Sequence, residues 1–265
     1  MLKKLISSFF FIKWRYLFKG SVVIVKRDGK LNVGKRCSIT GCIIQVSPTC
    51  SLSIAEDTVI KKCRLSVINK NSSLQIGKHN SITHSQIVVS GRLYIGDENI
   101  LDKGYSYRNY SIRADGDIFI GNRNRLRGRI WLRYGGNLKI GDYNNINEDS
   151  EIRCDESITI GSYNQISYEC MIWDTNTHCI YPAKERRALA ESKYPSLGFE
   201  YERPKTKAVS IGDDCWIGKR VTILKGSVIG SRCIIGYGTT ISNQTIPDNK
   251  TVTEQKTLKF YDNQI

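Results

Sequence analysis

Three features are scarce or missing in this chain of 265 residues, and each argues against a class of protein. Its nine cysteines contain no C-x-x-C spacing and no paired clusters, which argues against a zinc ribbon and against a disulfide framework. We therefore expect reduced thiols that act as small core or turn residues. No apolar run is long enough to span a bilayer, because the run near the start extends only from Ile6 to Ile12. No small-residue cleavage site follows it, so we expect no secretion signal and a reducing, cytoplasmic location.

Acidic residues are also in short supply. The chain has 40 Lys and Arg against 25 Asp and Glu, a formal net charge of +15. Its partners should therefore be anionic, such as phosphates, acidic glycans, nucleic acid or a phospholipid surface. The charge is spread through the chain and no nucleic-acid-binding motif accompanies it, so we expect no nucleic acid among the partners.

An internal repeat is the main feature that the sequence does contain. The phrase Ile-Gly-x-x-Asn occurs five times, at starts that lie 19, 25, 20 and 20 residues apart: Ile76, Ile95, Ile120, Ile140 and Ile160. Towards the C-terminus the isoleucines follow a strict period of six: Ile211, Ile217, Ile223, Ile229, Ile235 and Ile241. This period is typical of a coil of three short strands and three corners, with one aliphatic residue pointing inward on each side. Stacked coils would share a continuous aliphatic core, and we expect Gly and Asn to supply left-handed corner conformations.

The repeat divides the chain into three parts. Residues 1–30 form a basic, aromatic segment, residues 31–247 the solenoid and residues 248–265 a tail. The rhythm stops within the solenoid, where residues 180–207 form a long excursion with a helix-like patch, A-K-E-R-R-A-L-A-E. Residues 1–20 interleave aromatic and basic side chains, which fits a short amphipathic helix on an anionic membrane surface. A cap over the first coil is the equal alternative.

The excursion and the coils that follow it carry a specific resemblance. M-I-W-D-T-N-T-H, then E-R-R, then K-A-V-S-I-G-D-D-C-W-I-G and I-L-K-G-S-V-I-G, resemble the galactoside and maltose O-acetyltransferases and the related acetyltransferases of bacterial surface polysaccharides. The resemblance covers residues 140–247, and the other coils only as generic repeats. It implies an all-β fold, a left-handed parallel β-helix (hexapeptide-repeat solenoid) with an extruded loop. It also implies a homotrimer that holds acetyl-coenzyme A between subunits. The left hand comes from the resemblance alone, because parallel strands usually take right-handed crossovers.

The resemblance also implies site residues. His178 matches the general base that takes the proton of a sugar hydroxyl, and the backbone N–H of Lys219, from a neighbouring subunit, matches the donor to the thioester oxygen. The residues that match cofactor contacts are Trp216, Gly218, Lys219, Gly236, Gly238 and Thr239. Lys225, with Lys219, could attract the cofactor phosphates or be a solvated charge. The chain departs from the family in having Tyr237 within G-Y-G-T, where G-A-G-S is usual.

Other candidates come from the residues around the histidines. Asp174 lies four residues before His178 and could orient its imidazole in an extended segment, although a turn would prevent this. Trp173 could stack on a sugar ring or pack beneath the loop, and we add Asn176 and Arg186 to the predicted acceptor site. Arg186 could equally belong to a solvated helix face.

A metal site is not expected. The spacing of His79 and His84 resembles a histidine pair of β-helical carbonic anhydrases, but His178 is too far along the axis to complete it.

The sequence therefore predicts an acetyl-coenzyme-A-dependent O-acetyltransferase that acts on a saccharide, a bacterial surface polysaccharide (capsule or O-antigen) or its precursor. An N-acyltransferase acting on an amino sugar or nucleotide-linked amino sugar remains an alternative, as does a non-enzymatic β-helical scaffold.

Overall fold

The structure of the chain is a computed structural model, and it describes residues 18–108, 110–196, 202–255, 257 and 259. Most of the predicted N-terminal helix-like segment and part of the tail lie outside these residues.

The described chain winds into a parallel β-solenoid with a triangular cross-section. One sheet of 18 strands folds into two faces, joined by the long strands β13 and β15, and a sheet of 10 strands forms the third. Face 1 contains β1 (Val22–Val25), β4 (Ile43–Val46), β7 (Arg64–Val67), β10 (Ser85–Val89), the first parts of β13 (Tyr110–Ile120) and β15 (Arg129–Ile140), β17 (Glu151–Cys154), β20 (Met171–Trp173), β23 (Thr222–Leu224) and β26 (Thr240–Ser242). Face 2 contains β2 (Lys30–Val33), β5 (Ser51–Ile54), β8 (Ser73–Ile76), β11 (Arg92–Ile95), the later parts of β13 and β15, β18 (Ser157–Ile160), β21 (Val209–Ile211), β24 (Val228–Ile229) and β27 (Thr245–Ile246).

Face 3 contains β3 (Ser38–Thr40), β6 (Val59–Lys61), β9 (Ser81–Thr83), β12 (Ile100–Leu101), β14 (Arg125–Leu126), β16 (Asn145–Ile146), β19 (Gln165–Ile166), β22 (Trp216–Ile217), β25 (Ile234–Ile235) and β28 (Thr251–Val252). We name the corner between faces 1 and 2 corner A, that between faces 2 and 3 corner B, and that between faces 3 and 1 corner C.

Aliphatic ladders fill the interior. Alternate side chains of a strand point to opposite sides, so each short strand turns one or two residues inward, and the parallel register stacks them from coil to coil. All six isoleucines of the strict six-residue period are buried. Burying one such side chain stabilises the fold by roughly 1.5–3 kcal/mol. The predicted continuous core is confirmed.

The asparagines of the repeated phrase form a buried ladder along corner B. The side-chain oxygen of each accepts the backbone N–H of the next, as in the Asn124 N–H bond to Asn99 at 2.8 Å and the Asn144 N–H bond to Asn124 at 2.8 Å. Each side-chain amide also donates to a glycine carbonyl of the next coil, for example Asn124 to Gly141 at 2.9 Å. Asn is therefore needed because one side chain satisfies two backbone groups in a dry corner.

The predicted left-handed conformation occurs at some corner residues, such as Gly238 at φ 65° and Asn243 at φ 51°, but not at the Gly and Asn of the repeated phrase. The left-handed residue of the phrase is the one before Asn, such as His79 at φ 54° and Arg123 at φ 56°. The glycine permits close stacking, because a Cβ on Gly121 would lie 2.7 Å from the carbonyl oxygen of Gly141. Coils approach so closely there that no larger residue fits.

All nine cysteines are free thiols, and eight of them are buried. Most lie at corners, where the thiol donates to a carbonyl of a neighbouring coil, as from Cys37 to Ala55 at 3.0 Å and from Cys170 to Gly218 at 3.1 Å. The prediction of thiols as small core or turn residues is confirmed.

Two segments protrude from the triangular prism that the stacked coils form. The excursion begins after β20 and ends before β21, at corner A, and contains the helix α1 (Ala183–Lys193) where the helix-like patch was predicted. A second, shorter loop leaves corner C between β12 and β13, and it accounts for the 25-residue interval in the repeat. The solenoid also starts earlier than predicted, with β1 at Val22, and Phe18 is already buried against the core.

Candidate active site

The base of the excursion is fixed to corner A. Thr175 and Thr206 form an antiparallel bridge, and the Asn176 N–H donates to the Lys205 carbonyl at 3.0 Å. The Arg203 guanidinium donates to the Asp155 carbonyl at 2.7 Å. This bond connects the returning segment of the excursion to an earlier coil. The excursion therefore leaves the prism from a rigid base.

His178 lies just beyond this base and its side chain is exposed. The preceding residue, Thr177, has φ 61°, so the chain turns sharply before the histidine. The exposed His178 is therefore accessible to a second molecule at the start of the excursion.

Asp174 is fully buried at the same base. Its two carboxylate oxygens accept the backbone N–H groups of Asp155, Glu156 and Ser157 at 2.8, 2.8 and 2.7 Å. Burial raises the pKa of the Asp174 carboxyl, and these three N–H groups act in the opposite direction. The carboxylate joins the excursion to the preceding coil, and its predicted role in orienting His178 stays a prediction.

The predicted acceptor residues occupy three different environments. Trp173 is half-buried at the end of β20 and lines a cleft on face 1. Asn176 is exposed at the base of the excursion, and Arg186 is exposed on α1, none of whose residues is buried.

Trp216 projects outward from face 3 with 61% of its surface exposed. Its register neighbours are Gln165 and Ile234, and Ile234 is also exposed, at 44%. The two side chains make an apolar strip that could hold the aliphatic part of a cofactor arm. Ile234 was not predicted, although its position 18 residues after Trp216, or three six-residue periods, was a usable signal.

Lys219 lies in corner C, directly after Gly218. The Gly218 N–H bonds to the Ile235 carbonyl at 2.8 Å and the Arg220 N–H to the Tyr168 carbonyl at 3.0 Å. Among the described residues no acceptor lies on the Lys219 N–H between them, so this amide can still donate. The Lys219 ammonium pairs with Glu169 at 3.0 Å, and hydrogen bonds from Arg220 and Lys219 lower the pKa of Glu169.

The remaining predicted cofactor residues separate into two groups. Gly236, Gly238 and Thr239 lie in corner C, and Gly238 has φ 65°. Thr239 is buried, and its hydroxyl has no hydrogen-bond partner in the described part of the chain. Lys225 lies instead at corner A, on the side of the excursion, apart from the other predicted cofactor residues.

Corner A lies opposite face 3 in a triangular prism. His178 extends from corner A, whereas Trp216 and Lys219 lie on face 3 and at corner C. One chain thus presents two separate half-sites.

His79 and His84 lie at opposite ends of β9, His79 in corner B and His84 in corner C. Within the described residues no group of three metal-ligating side chains comes together.

A match to a known protein family falls in the coils that follow the excursion. Residues 208–243 match the family described as Bacterial transferase hexapeptide (six repeats). This match confirms the predicted resemblance in the last coils, and the fold is the all-β, left-handed hexapeptide-repeat β-helix that the resemblance implied. No curated protein sequence matches the chain.

Several solved structures are similar to the chain. The polysialic acid O-acetyltransferase OatWY shares 20% identity over 85% of this chain and 81% of its own, with a TM-score of 0.48. The polySia specific acetyltransferase NeuO shares 14% identity over 89% of this chain and 83% of its own, with a TM-score of 0.38. The Arabidopsis UDP-N-acetylglucosamine acyltransferase shares 16% identity over 89% and 70%, with a TM-score of 0.30.

No helix among the described residues has the length and apolar character needed to cross a membrane.

Proposed function

We propose that the chain is an acyltransferase that moves an acetyl group from acetyl-coenzyme A to a sugar hydroxyl of a bacterial surface polysaccharide or its precursor. The hexapeptide match at residues 208–243 and the W-I-G sequence support the transferase class. The observation that carries the proposal is the excursion, which projects an exposed histidine from a rigid base directly before those coils.

The active site, on this proposal, is completed by a second copy of the chain. His178 and Trp216 lie on opposite sides of one prism, so a neighbouring subunit must bring the second half-site to the first. The helix α1 supports this arrangement, because it has 11 residues and none of them is buried. Isolated helices shorter than about 12–15 residues are marginal in water, so α1 needs a covering surface. A homotrimer, in which each excursion lies on the next subunit, supplies one.

The chemistry follows from the groups at the two half-sites. A sugar hydroxyl is a poor nucleophile at neutral pH, and a neutral imidazole within hydrogen-bond reach can take its proton during attack. His178 has this role. The attacked thioester oxygen gains negative charge, and the N–H of Lys219 is a donor that is already in place. The bond from the carbonyl carbon to sulfur then breaks, and the thiol leaves with the proton held by the imidazole.

The residues of face 3 fit an elongated acyl donor. Trp216 and Ile234 offer an exposed apolar strip, and Gly236 and Gly238 lie in the adjacent corner C. Two cations that closely follow Trp216 in the chain, Lys219 and Arg220, are both held by Glu169. The phosphates of the donor must therefore share these cations with a carboxylate or use others.

A thiol-release assay tests this function. Purified protein is mixed with acetyl-coenzyme A and a panel of neutral sugars, acidic sugars and amino sugars, and free thiol is measured. We expect release that depends on a hydroxyl acceptor. Release only with amino sugars would identify an N-acyltransferase, and no release together with no binding of acetyl-coenzyme A would leave a scaffold.

A further inference from the structure

Face 1 carries a groove that the mechanism above does not use. Two clefts of about 450 and 290 Å³ lie side by side and share Ser111 and Arg129 as lining residues. The groove crosses the strands from β10 to β20, a length of about 19 Å because adjacent strands lie about 4.8 Å apart. Gln86 and Val88 lie at one end. The cleft at the other end is lined by Ser106 and Arg108 of the corner C loop and by Trp173, five residues before His178.

Two indole rings and the Arg113 guanidinium line this groove, and the buried Arg153 lies between the two tryptophans in the register. Arg113, Trp131, Arg153 and Trp173 follow one another along the outward side of face 1, in register. The Arg153 guanidinium lies 4.7 Å from the centroid of the Trp131 ring and is paired with the buried Asp155. Indole rings offer a flat apolar surface with one polar edge, which suits the mixed character of a sugar ring.

The charges along the groove leave two cations unmatched. Glu151 pairs with Arg129, and Glu169 pairs with Lys219 and Arg220. The third lining carboxylate, Asp149, accepts the Ser106 hydroxyl at 2.8 Å. The exposed side chains of Arg108 and Arg113 have no carboxylate partner among the described residues, although both line the groove. Asp149 has no cation partner among the described residues either, so two unpaired guanidinium groups face one unpaired carboxylate. The net unpaired charge is therefore positive, and guanidinium forks match carboxylate and phosphate groups.

The corner C loop that carries Arg108 is fixed in place. Its start is held by Arg127, which donates to Asp102 at 2.9 Å and to Glu148 at 3.1 Å, with only 10% of its side chain exposed. Glu148 also accepts the Tyr105 N–H at 3.1 Å, and Arg108 N–H donates to the Ser106 hydroxyl at 3.0 Å.

This loop also places two aromatic rings beside the groove. The Tyr105 and Tyr107 side chains are almost wholly exposed. Large rings that stay in water beside a cleft on an anchored loop are characteristic of binding surfaces rather than of packing.

We propose that face 1 binds an anionic oligosaccharide, carrying carboxylate or phosphate groups, as an extended acceptor. The oligosaccharide lies across the groove, with its charged groups on Arg108 and Arg113 and its sugar rings on Trp131 and Trp173. It then reaches the excursion, where His178 acts. This inference rests on the proposed function for its product, but binding itself needs neither acetyl-coenzyme A nor turnover.

Calorimetric titration of the full chain tests the proposal without the acyl donor. The probes are tetragalacturonate for carboxylate, a phosphorylated maltotetraose for phosphate, and maltotetraose as the uncharged match. We expect at least one anionic probe to bind more tightly than maltotetraose. The double variant Arg108→Gln/Arg113→Gln should weaken that binding by about tenfold or more, as expected for lost charge-assisted contacts.

Arg125→Gln is the matched control. Arg125 is exposed on face 3 of the same coil as Arg113, and its side chain has no ion-pair partner among the described residues. This variant should bind the anionic probe within twofold of the natural chain. Equal weakening by Arg125→Gln would show a general effect of net charge and overturn the site, and so would the absence of any preference for an anionic probe. A change of oligomeric state in the double variant, measured by light scattering, would show instead that face 1 is a subunit interface.

The two proposals fail in different ways. Thiol release with small neutral acceptors but no preference for anionic oligosaccharides would reject the groove and keep the acyltransferase. Specific binding of an anionic probe with no thiol release on any acceptor would keep the groove and reject the acyltransferase.

Discussion

At the scale of single residues, the groups around the excursion divide into those that hold the backbone and those that can react. Asp174 uses both of its oxygens on three backbone N–H groups, whereas the side chain of His178, four residues later, is exposed. The sequence analysis paired these two residues because they lie close in sequence, but their environments differ. Their roles can be separated by substitution.

His178→Ala should lower kcat by about 10²–10⁴, the range expected when a positioned general base is removed. The affinity for acetyl-coenzyme A should hardly change, because the proposed cofactor residues lie on face 3 and at corner C. Steady-state thiol release and calorimetric binding of the cofactor measure the two quantities. His79→Ala and His84→Ala, which alter corners B and C, should stay within a few fold in turnover. Near-normal kcat in a folded His178→Ala protein would mean that another group is the base.

Asp174→Asn should lower the free energy of unfolding by about 2 kcal/mol or more, because an amide nitrogen would face backbone N–H groups that then lack an acceptor. Denaturant unfolding measures this loss. Asp97→Asn is the control, since Asp97 accepts the single Lys78 N–H at 2.7 Å through one oxygen, which an asparagine can still supply. If Asp174 also orients His178, kcat of the folded variant will fall as well; unchanged kcat would reject the predicted dyad.

At the scale of elements, the coils were predictable and the loops between them were not. Ile211 to Ile241 repeat every six residues because each strand turns one aliphatic residue inward, and such a period can be read without coordinates. The role of Gly121 could not be read in this way, because it depends on the distance between two coils. The corner C loop was visible only as an interval of 25 residues, and its position at the cleft that Trp173 also lines depends on stacking register.

The N-terminal segment offers a test at the same scale. Phe18 is buried and the Cys42 N–H donates to the Ser21 hydroxyl at 3.0 Å, so the longest truncation that leaves these contacts intact removes residues 1–17. We expect this truncated chain to be released from vesicles that contain anionic lipid while it keeps turnover on a soluble acceptor. Sedimentation with and without high salt measures the partition. An unchanged partition with a lower melting temperature would show that the segment caps the first coil instead.

At the scale of the whole molecule, the separation of the two half-sites predicts that activity depends on assembly. Light scattering should show a homotrimer at micromolar concentration, and a fully active monomer would contradict the proposal.

Mixed assemblies test the same arrangement more sharply. His178→Ala and Trp216→Ala chains should each be impaired alone, but co-expression should restore part of the activity, because some sites would then join an intact His178 to an intact Trp216 of another chain. Co-expression of two differently tagged His178→Ala chains is the control and should restore nothing. If the mixed assembly is no more active than its parents, both half-sites belong to one chain.

The asparagine ladder makes the length of the molecule modular. Asn99, Asn124, Asn144 and Asn164 form the same bonds to their neighbours, so a coil from this region meets equivalent partners above and below it. Duplicating or deleting one such unit would change the length of the prism by about 4.8 Å and leave its cross-section unchanged. The distance between the corner C loop and the excursion would then change in steps of one coil. The length of the oligosaccharide that spans this distance would change with it, while His178 would stay as it is.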